Sequence, residues 1–471
     1  MTVNLSSVSE EYIESLAAGE PAWFGSMRKK AFSQYQSLPA EVSPLYSKYS
    51  DVNKIKSESV HFSDAGPLPA AISKELADRL KELERGTGIL QADQTSKIFI
   101  RDDLSKKGVI VTSIKDALQN HEDLLKSCIE TNPLNYIEDK FIALEASASQ
   151  SGAFIYIPRN VVLEDPIRIV TSLADDGSSM VSRNIVFADV GSKSTVVQEV
   201  YAPGSSGKQD IQQGYFELVE AHVNPNAHLE MVTLQAMATD TVDVSNRKAF
   251  VERDGKMSWY IGMFGSLLSR YKTDSIMKGS GASAEDVEII FGASTQSFDV
   301  TSNLVHLGQY SRGRVLVKSV LKDTAKSLFK GMIKIGKDGK GTESYLASHA
   351  ILLDRGAKSD SIPGLEIETN EVRATHAASV AQMDENQIFY LLTRGLSREG
   401  AKREIVAGFL EPLSRKMGPT IRAWVNYLIE NKWQGKPLML RTDEAMEQIL
   451  EVEKSRYRES QDIFEKHYKY R

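Results

Sequence analysis

From about Ser151 to Glu371 the chain repeats one local pattern: a short run of alternating apolar residues, a tight turn carrying Gly, Asn or Asp, and a second alternating run. IVFADVGSKSTVVQEV turns at Gly191, YFELVEAHVNPNAHLEMVTL at Asn224 to Asn226, KAFVERDGKMSWYIGMF at Asp254 and Gly255, and DSIMKGSGASAEDVEIIF at Gly279 to Gly281. GRVLVKSVLKDTAKSLFKGMI follows with Asp323, IKIGKDGKGTESYLAS with Asp338 and Gly339, and AILLDRGAKSDSIPGLEI with Gly356. Such turns accept positive φ or tight geometry. A sandwich, a barrel and a β-helix all use strands of this kind. Units this alike, continued for about 200 residues without a helical break, favour a stacked β-helix, each turn burying its inward residues against the next at about 4.8 Å per layer. Its end strands need covers, because an uncovered edge pairs with other chains.

The flanks supply helices. Residues 1–150 read as a mainly helical N-terminal domain: Met27, Ala31, Tyr35 and Leu38 recur at helical spacing, AAISKELADRLKELE repeats the period, and Ser113 caps SIKDALQNHEDLLKSCIE. A further helix, YIEDKFIALEAS, precedes the strands. The β-helix is assigned to 151–371, a C-terminal helical domain to 372–441 and a charged helical tail to 442–471. In the third of these, Ile388 to Leu392 form a very apolar helix ending near Gly395, Ser397 and Glu399 open AKREIVAGFLEPL, and Ile421, Trp424 and Leu428 share a face of TIRAWVNYLIENKW. Whether Phe389 and Tyr390 belong to the core or to a docking surface is open at this stage.

At 471 residues the chain exceeds one ordinary core, and 41% hydrophobic with 25% charged residues is a soluble globular composition. A net charge of -6 gives no general reason to bind nucleic acid or an anionic membrane. The N-terminus lacks the basic and apolar regions of a secretory signal, and no apolar run approaches the ~20 residues that cross a bilayer, so a cytoplasmic location is expected. Cys128 is the one cysteine. It allows no intrachain disulfide, reads as a passive, partly buried thiol with a reactive one as the lesser alternative, and cannot hold an iron-sulfur cluster alone.

Chemical motifs are few. GSGASA at Gly279 matches a dinucleotide pattern, but EDVEIIFG after it reads as a strand where that pattern needs a helix, so it is a turn. GKDGKGT at Gly336 lacks the Lys-Ser/Thr ending of a phosphate loop. The eight histidines show no metal-site spacing, and no nucleophile elbow appears, so no catalytic residue is assigned. His376 stands apart only because small neighbours, Ala374, Thr375, Ala377, Ala378 and Ser379, leave its ring accessible. Taken alone it is a structural histidine; with thiolates from another chain it would suit a metal.

The run from Tyr310 to Phe409 resembles the SufB/SufD family of iron-sulfur cluster assembly proteins in its SRG, the Phe329 to Ile333 element, ILL, PGLEI, THAAS, FYLLTRGL and final GF. The resemblance implies a right-handed parallel β-helix between helical domains, and a complex of a SufB-like and a SufD-like subunit with the SufC ATPase. It implies a transient cluster at the interface with SufB, with His376 as a ligand, and no stably bound cofactor on this chain alone. The SufB-like cysteine position falls at Ser348 and its acidic position at Ala377, which makes this chain similar to the SufD-like, non-catalytic member. Ala374 departs from the cysteine common in SufD-like chains. Phe389, Tyr390, Arg394, Gly395 and Phe409 would form the SufC-docking region. The alternatives are a SufB-like homodimer and, more remotely, a polysaccharide-acting β-helix enzyme.

Overall fold

The computed structural model describes residues 3–62, 74–92, 95–173, 177–204, 207, 210–436, 438 and 450–451. The expected tail, 442–471, lies outside them apart from residues 450–451. Among the described residues no helix is long and apolar enough to cross a membrane.

Strands from Ala153–Ile157 onward alternate between a nine-stranded and a ten-stranded sheet, and each pairs in parallel with the strand two places on. Val242–Val251 pairs with Leu268–Met277 and that with Ser297–His306, while Lys256–Met263 pairs with Ser283–Gly292 and that with Arg312–Leu321. The result is a β-solenoid of about eight turns flanked by helices. Period-two alternation builds its interior: Val219, Ala221, Val251, Trp259, Ile261, Val300, Val315 and Ile333 all point inward and are fully or almost fully buried.

Turn chemistry sets the corners. Asn160, Gly191, Asn226, Asp254, Gly281, Tyr310 and Gly341 all have positive φ, and each of the first six donates its N–H to the carbonyl of the residue that precedes the next: Asp254 to Ser280 O (3.0 Å), Gly281 to Gln309 O (2.8 Å), Tyr310 to Lys340 O (2.8 Å). This bonding runs up one corner of the solenoid. Gly279 lies in it where a Cβ would approach the backbone N of Arg253 to 2.0 Å, so the GSGASA run is a packed turn leading into a strand.

Both ends depart from the sequence boundaries. Residues 1–150 carry helices Glu10–Ala17, Ala22–Ser37 and Lys74–Arg85 but also three strands. Gly88–Ala92 pairs in parallel with Ile167–Ser172 and antiparallel with Thr95–Phe99, and Ile110–Ser113 pairs antiparallel with Ala153–Ile157. These strands cap the first turn. Ser113 does cap a helix, accepting from Asp116 N, yet that helix ends at Asn120 because His121 leaves helical geometry (φ -138°); Glu122–Thr131 starts anew. At the other end the solenoid runs past 371, since Arg373–Gln382 pairs with Glu343–Leu352. Its small side chains give little alternation to read, and only the neighbouring turn holds it as a strand.

Helices cover the outer faces. Lys140–Ala148, wholly buried, lies between Ala22–Ser37 and the nine-stranded sheet; Lys140 Nζ donates to Tyr35 O (2.5 Å) and Leu38 O (2.8 Å) at the end of that helix. Arg270 to Asp139 (2.5 Å) is a buried pair beside this layer, and Lys330 to Asp299 (2.7 Å) is another, covered by Glu41 and Tyr46. On the ten-stranded sheet, Arg398–Ser414 and Pro419–Trp433 bury Val406, Leu410, Leu413, Trp424 and Leu428 in one cluster with Val232, Leu234, Val287 and Ile289.

Candidate functional site: the open end of the solenoid

Lys358–Ile367 and Arg373–Gln382 end the two sheets, and among the described residues no strand pairs with their outer edges. Backbone direction follows from the hydrogen bonds. Arg373 N donates to Thr342 O (2.9 Å) and Met383 N to Leu352 O (3.1 Å), so odd residues bond to the preceding turn. By the alternation of a strand, the N–H and C=O groups of Ala374, His376, Ala378, Val380 and Gln382 face outward. On the companion strand Lys358 N and Glu368 N donate inward (3.0 and 2.9 Å), which turns Ser359, Ser361, Pro363, Leu365 and Ile367 outward. Pro363 therefore loses no ladder bond but interrupts that edge, as proline does on edge strands. Arg373–Gln382 is the continuous one.

Side-chain alternation puts the same residues over the interior. His376 is the register partner of fully buried Leu346, and Ala374 packs against the main core cluster. No later turn covers His376, so it is exposed in the mouth, and it has no hydrogen-bond partner among the described residues. Leu365, Ile367 and Val380 surround the opening with exposed apolar surface. Ser348, on the turn beneath, faces inward and is buried, beside Ala378 in register. Thus Ser348 and His376 share the inward face at this end, whereas Ala377, the register partner of Ala347, lies on the outer face of the same strand. Among the described residues no group of three or more His, Cys, Asp or Glu is placed to hold a metal ion.

Next in the chain, helix Glu385–Thr393 is anchored by buried Ile388 and by Arg398 on Glu385 (2.6 Å), yet leaves Phe389 67% and Tyr390 57% exposed. Arg394 lies over the Tyr390 ring (5.2 Å) and donates to its hydroxyl (3.2 Å), and Gly395 ends the helix at φ +87°. Phe409 differs from the other proposed docking residues. It packs back on the ten-stranded sheet, its ring under Lys318 Nζ (4.6 Å) and its carbonyl accepting from the same amine. An apolar residue on the inner side of its helix goes to the nearest sheet.

Sequence reading missed the polar column within the solenoid. Glu217, fully buried, accepts from Asn184 (2.7 Å), Tyr215 (3.0 Å), Ser245 (2.9 Å), Arg247 (2.9 Å) and Gln198. Arg247 also donates to Thr233 (2.7 Å) and lies over the rings of Tyr271 (5.2 Å) and Trp259 (6.0 Å). Farther along, burial pushes the Asp286 carboxyl up to about 7 and Glu288 well above the usual range, and Ser302 donates to Glu288 (2.8 Å). Burial likewise lowers His306 to about 4, a neutral ring between Ser311 (2.8 Å) and Ser344 (3.0 Å). The signal was present: in YFELVEAHV, Glu217 falls in phase with the inward Val219 and Ala221.

Two family models match the chain: the SUF system FeS cluster assembly, SufBD core domain, over residues 170–409, and the SufBD protein N-terminal region over 4–169. Iron-sulfur cluster assembly SufBD family proteins of Staphylococcus haemolyticus and Staphylococcus epidermidis are each 26% identical to it over 427 residues, covering 88% of this chain and 90% of theirs. One of Staphylococcus aureus is 26% identical over 430 residues, with the same coverage.

Proposed function

The chain belongs to the SufBD family of the SUF iron-sulfur cluster assembly system, and on that premise we propose that it is a SufD-like, non-catalytic scaffold subunit acting in the cytoplasm. The observation that carries this reading is the open end, where a continuous strand edge and an exposed histidine lie together. The Arg373–Gln382 edge pairs with the end of a SufB-like chain, and the apolar mouth of Leu365, Ile367 and Val380 is covered as the two join. Ser348 and Ala377, where the resemblance implies a cysteine and an acid in SufB-like chains, support the SufD-like side of that pair.

The nascent cluster is cargo at this interface. His376 supplies one imidazole ligand, and the partner supplies the thiolate that this chain does not offer at this end. The test is anaerobic cluster reconstitution on the complex co-purified with a SufB-like chain and a SufC-like ATPase. His376→Ala is expected to lower the iron-sulfur absorbance sharply, because the site loses an imidazole ligand, while the complex stays assembled. Full cluster formation by the variant would remove the ligand role. A stable chromophore on the isolated chain would instead favour a homodimeric scaffold.

The ATPase docks on helix Glu385–Thr393. Phe389 and Tyr390 are the aromatic anchors, with Arg394 steadying Tyr390; Phe409 belongs to the support beneath. Replacing Phe389 and Tyr390 together by alanine is expected to weaken ATPase capture by about 1000-fold, near 2 kcal/mol for each buried aromatic anchor. Titration calorimetry with the ATPase measures it, and an unchanged affinity would place the dock elsewhere.

A further inference from the structure

Beside the open end, on the outer face of the ten-stranded sheet, a groove of about 570 Å³ carries Lys256, Arg312, Arg314 and Arg373 against Glu285 and Glu343. Register orders them: Lys256, Ser283, Arg312, Glu343 and Arg373 follow one another across adjacent strands, and Arg314 stands two residues along from Arg312 on the same face. The carboxylates do not cancel the cations. Glu285 is taken by Lys416, in the turn between the covering helices, and Glu343 is shared by Arg373 (3.6 Å) and Arg312 (4.0 Å). Among the described residues Lys256 and Arg314 have no ion pair. Arg314 is held over the Tyr345 ring, 5.9 Å from its centre.

We propose that this groove binds an extended acidic segment of a partner protein. The charge is a local reversal on a chain of net charge -6, so it selects an anionic partner. Its shape is a row. Lys256 and Arg373 are four strand spacings apart, about 19 Å, too far to converge on one phosphate. Arg314 widens the row, about 6.8 Å from Arg312 along its strand, and the guanidinium groups suit bidentate pairing with carboxylates. Glu343, between Arg312 and Arg373 in the row, opposes a nucleic acid, which brings a charge at every unit; a peptide can place a hydroxyl or a cation there. The groove lies on the outside of the sheet, whereas the mouth is lined by inward residues, so this contact goes beyond the proposed pairing and does not depend on it.

Fluorescence anisotropy with a labelled peptide of about ten residues, alternating Glu and Ser, tests it on the full chain. The peptide is expected to bind and to weaken about tenfold between ~50 and ~300 mM salt, as screening of exposed charges requires. Arg312→Glu with Arg314→Glu is expected to weaken binding by a further tenfold or so, with an unchanged melting temperature because both side chains are exposed. A matched peptide of alternating Lys and Ser is expected not to bind. Absence of binding by the acidic peptide, indifference to the charge reversal, or tighter binding of a thymidine oligonucleotide of equal charge would each overturn the proposal.

Discussion

Ala378→Pro is expected to abolish pairing of this chain with its solenoid partner while leaving the chain folded. The N–H of Ala378 points to the free edge, as the inward donations of Arg373 and Met383 require, so proline there removes no bond within the protein. What it removes is a donor in the middle of the continuous edge, and its ring projects where a neighbouring strand must approach to about 4.8 Å. A cost of about 1–3 kcal/mol, or about 10- to 100-fold in affinity, follows from the partner's acceptor left unpaired, and the clash of the ring adds to it. Size-exclusion chromatography of the co-expressed subunits reads the assembly, and thermal melting reads the fold. Thr375→Pro is the control: its N–H faces the preceding turn, so melting falls there. Undiminished assembly of the Ala378 variant would show that the partner does not use this edge.

Glu217→Ala is expected to destabilise the chain by about 3–5 kcal/mol, the usual cost of leaving a buried charge without its counter-ion. Arg247 would stay enclosed with Thr233, Gln198 and two aromatic rings, while Asn184, Tyr215 and Ser245 lose an acceptor. Because Asn184, Glu217 and Arg247 lie on three successive strands of one sheet, the loss reaches several turns. The midpoint of urea unfolding reports it. Pairing Glu217→Leu with Arg247→Met should recover part of the loss, since a buried ion pair exchanged for apolar side chains is often neutral. A single variant that loses less than about 1 kcal/mol would mean that water reaches the pair and screens it.

Some of this could be read residue by residue. Gly191, Asn226, Asp254 and Gly281 marked corners because few other residues take positive φ there without strain. Ser113 marked a cap, and the apolar phase of residues 388–392 marked a helix. The strand Arg373–Gln382 was not legible, because alanine and serine satisfy no period, and the capping strands before Ala153 were short and isolated in sequence. Phe409 looked like the other aromatics of its region until the sheet beneath it was in place.

The chain alone determined what local chemistry controls: the period of two, the turn residues, the flanking helices and the motifs that tie it to its family. Stacking decided the rest. Which turn is last, which edge is unbroken, and that His376 stands uncovered in an apolar mouth depend on strands that meet about 30 residues apart in sequence, as Leu346 meets His376. Glu217 and Arg247, likewise 30 residues apart, become partners only when the turns are laid on one another. Side-chain direction is a local property, but exposure and pairing depend on what the neighbouring turn supplies.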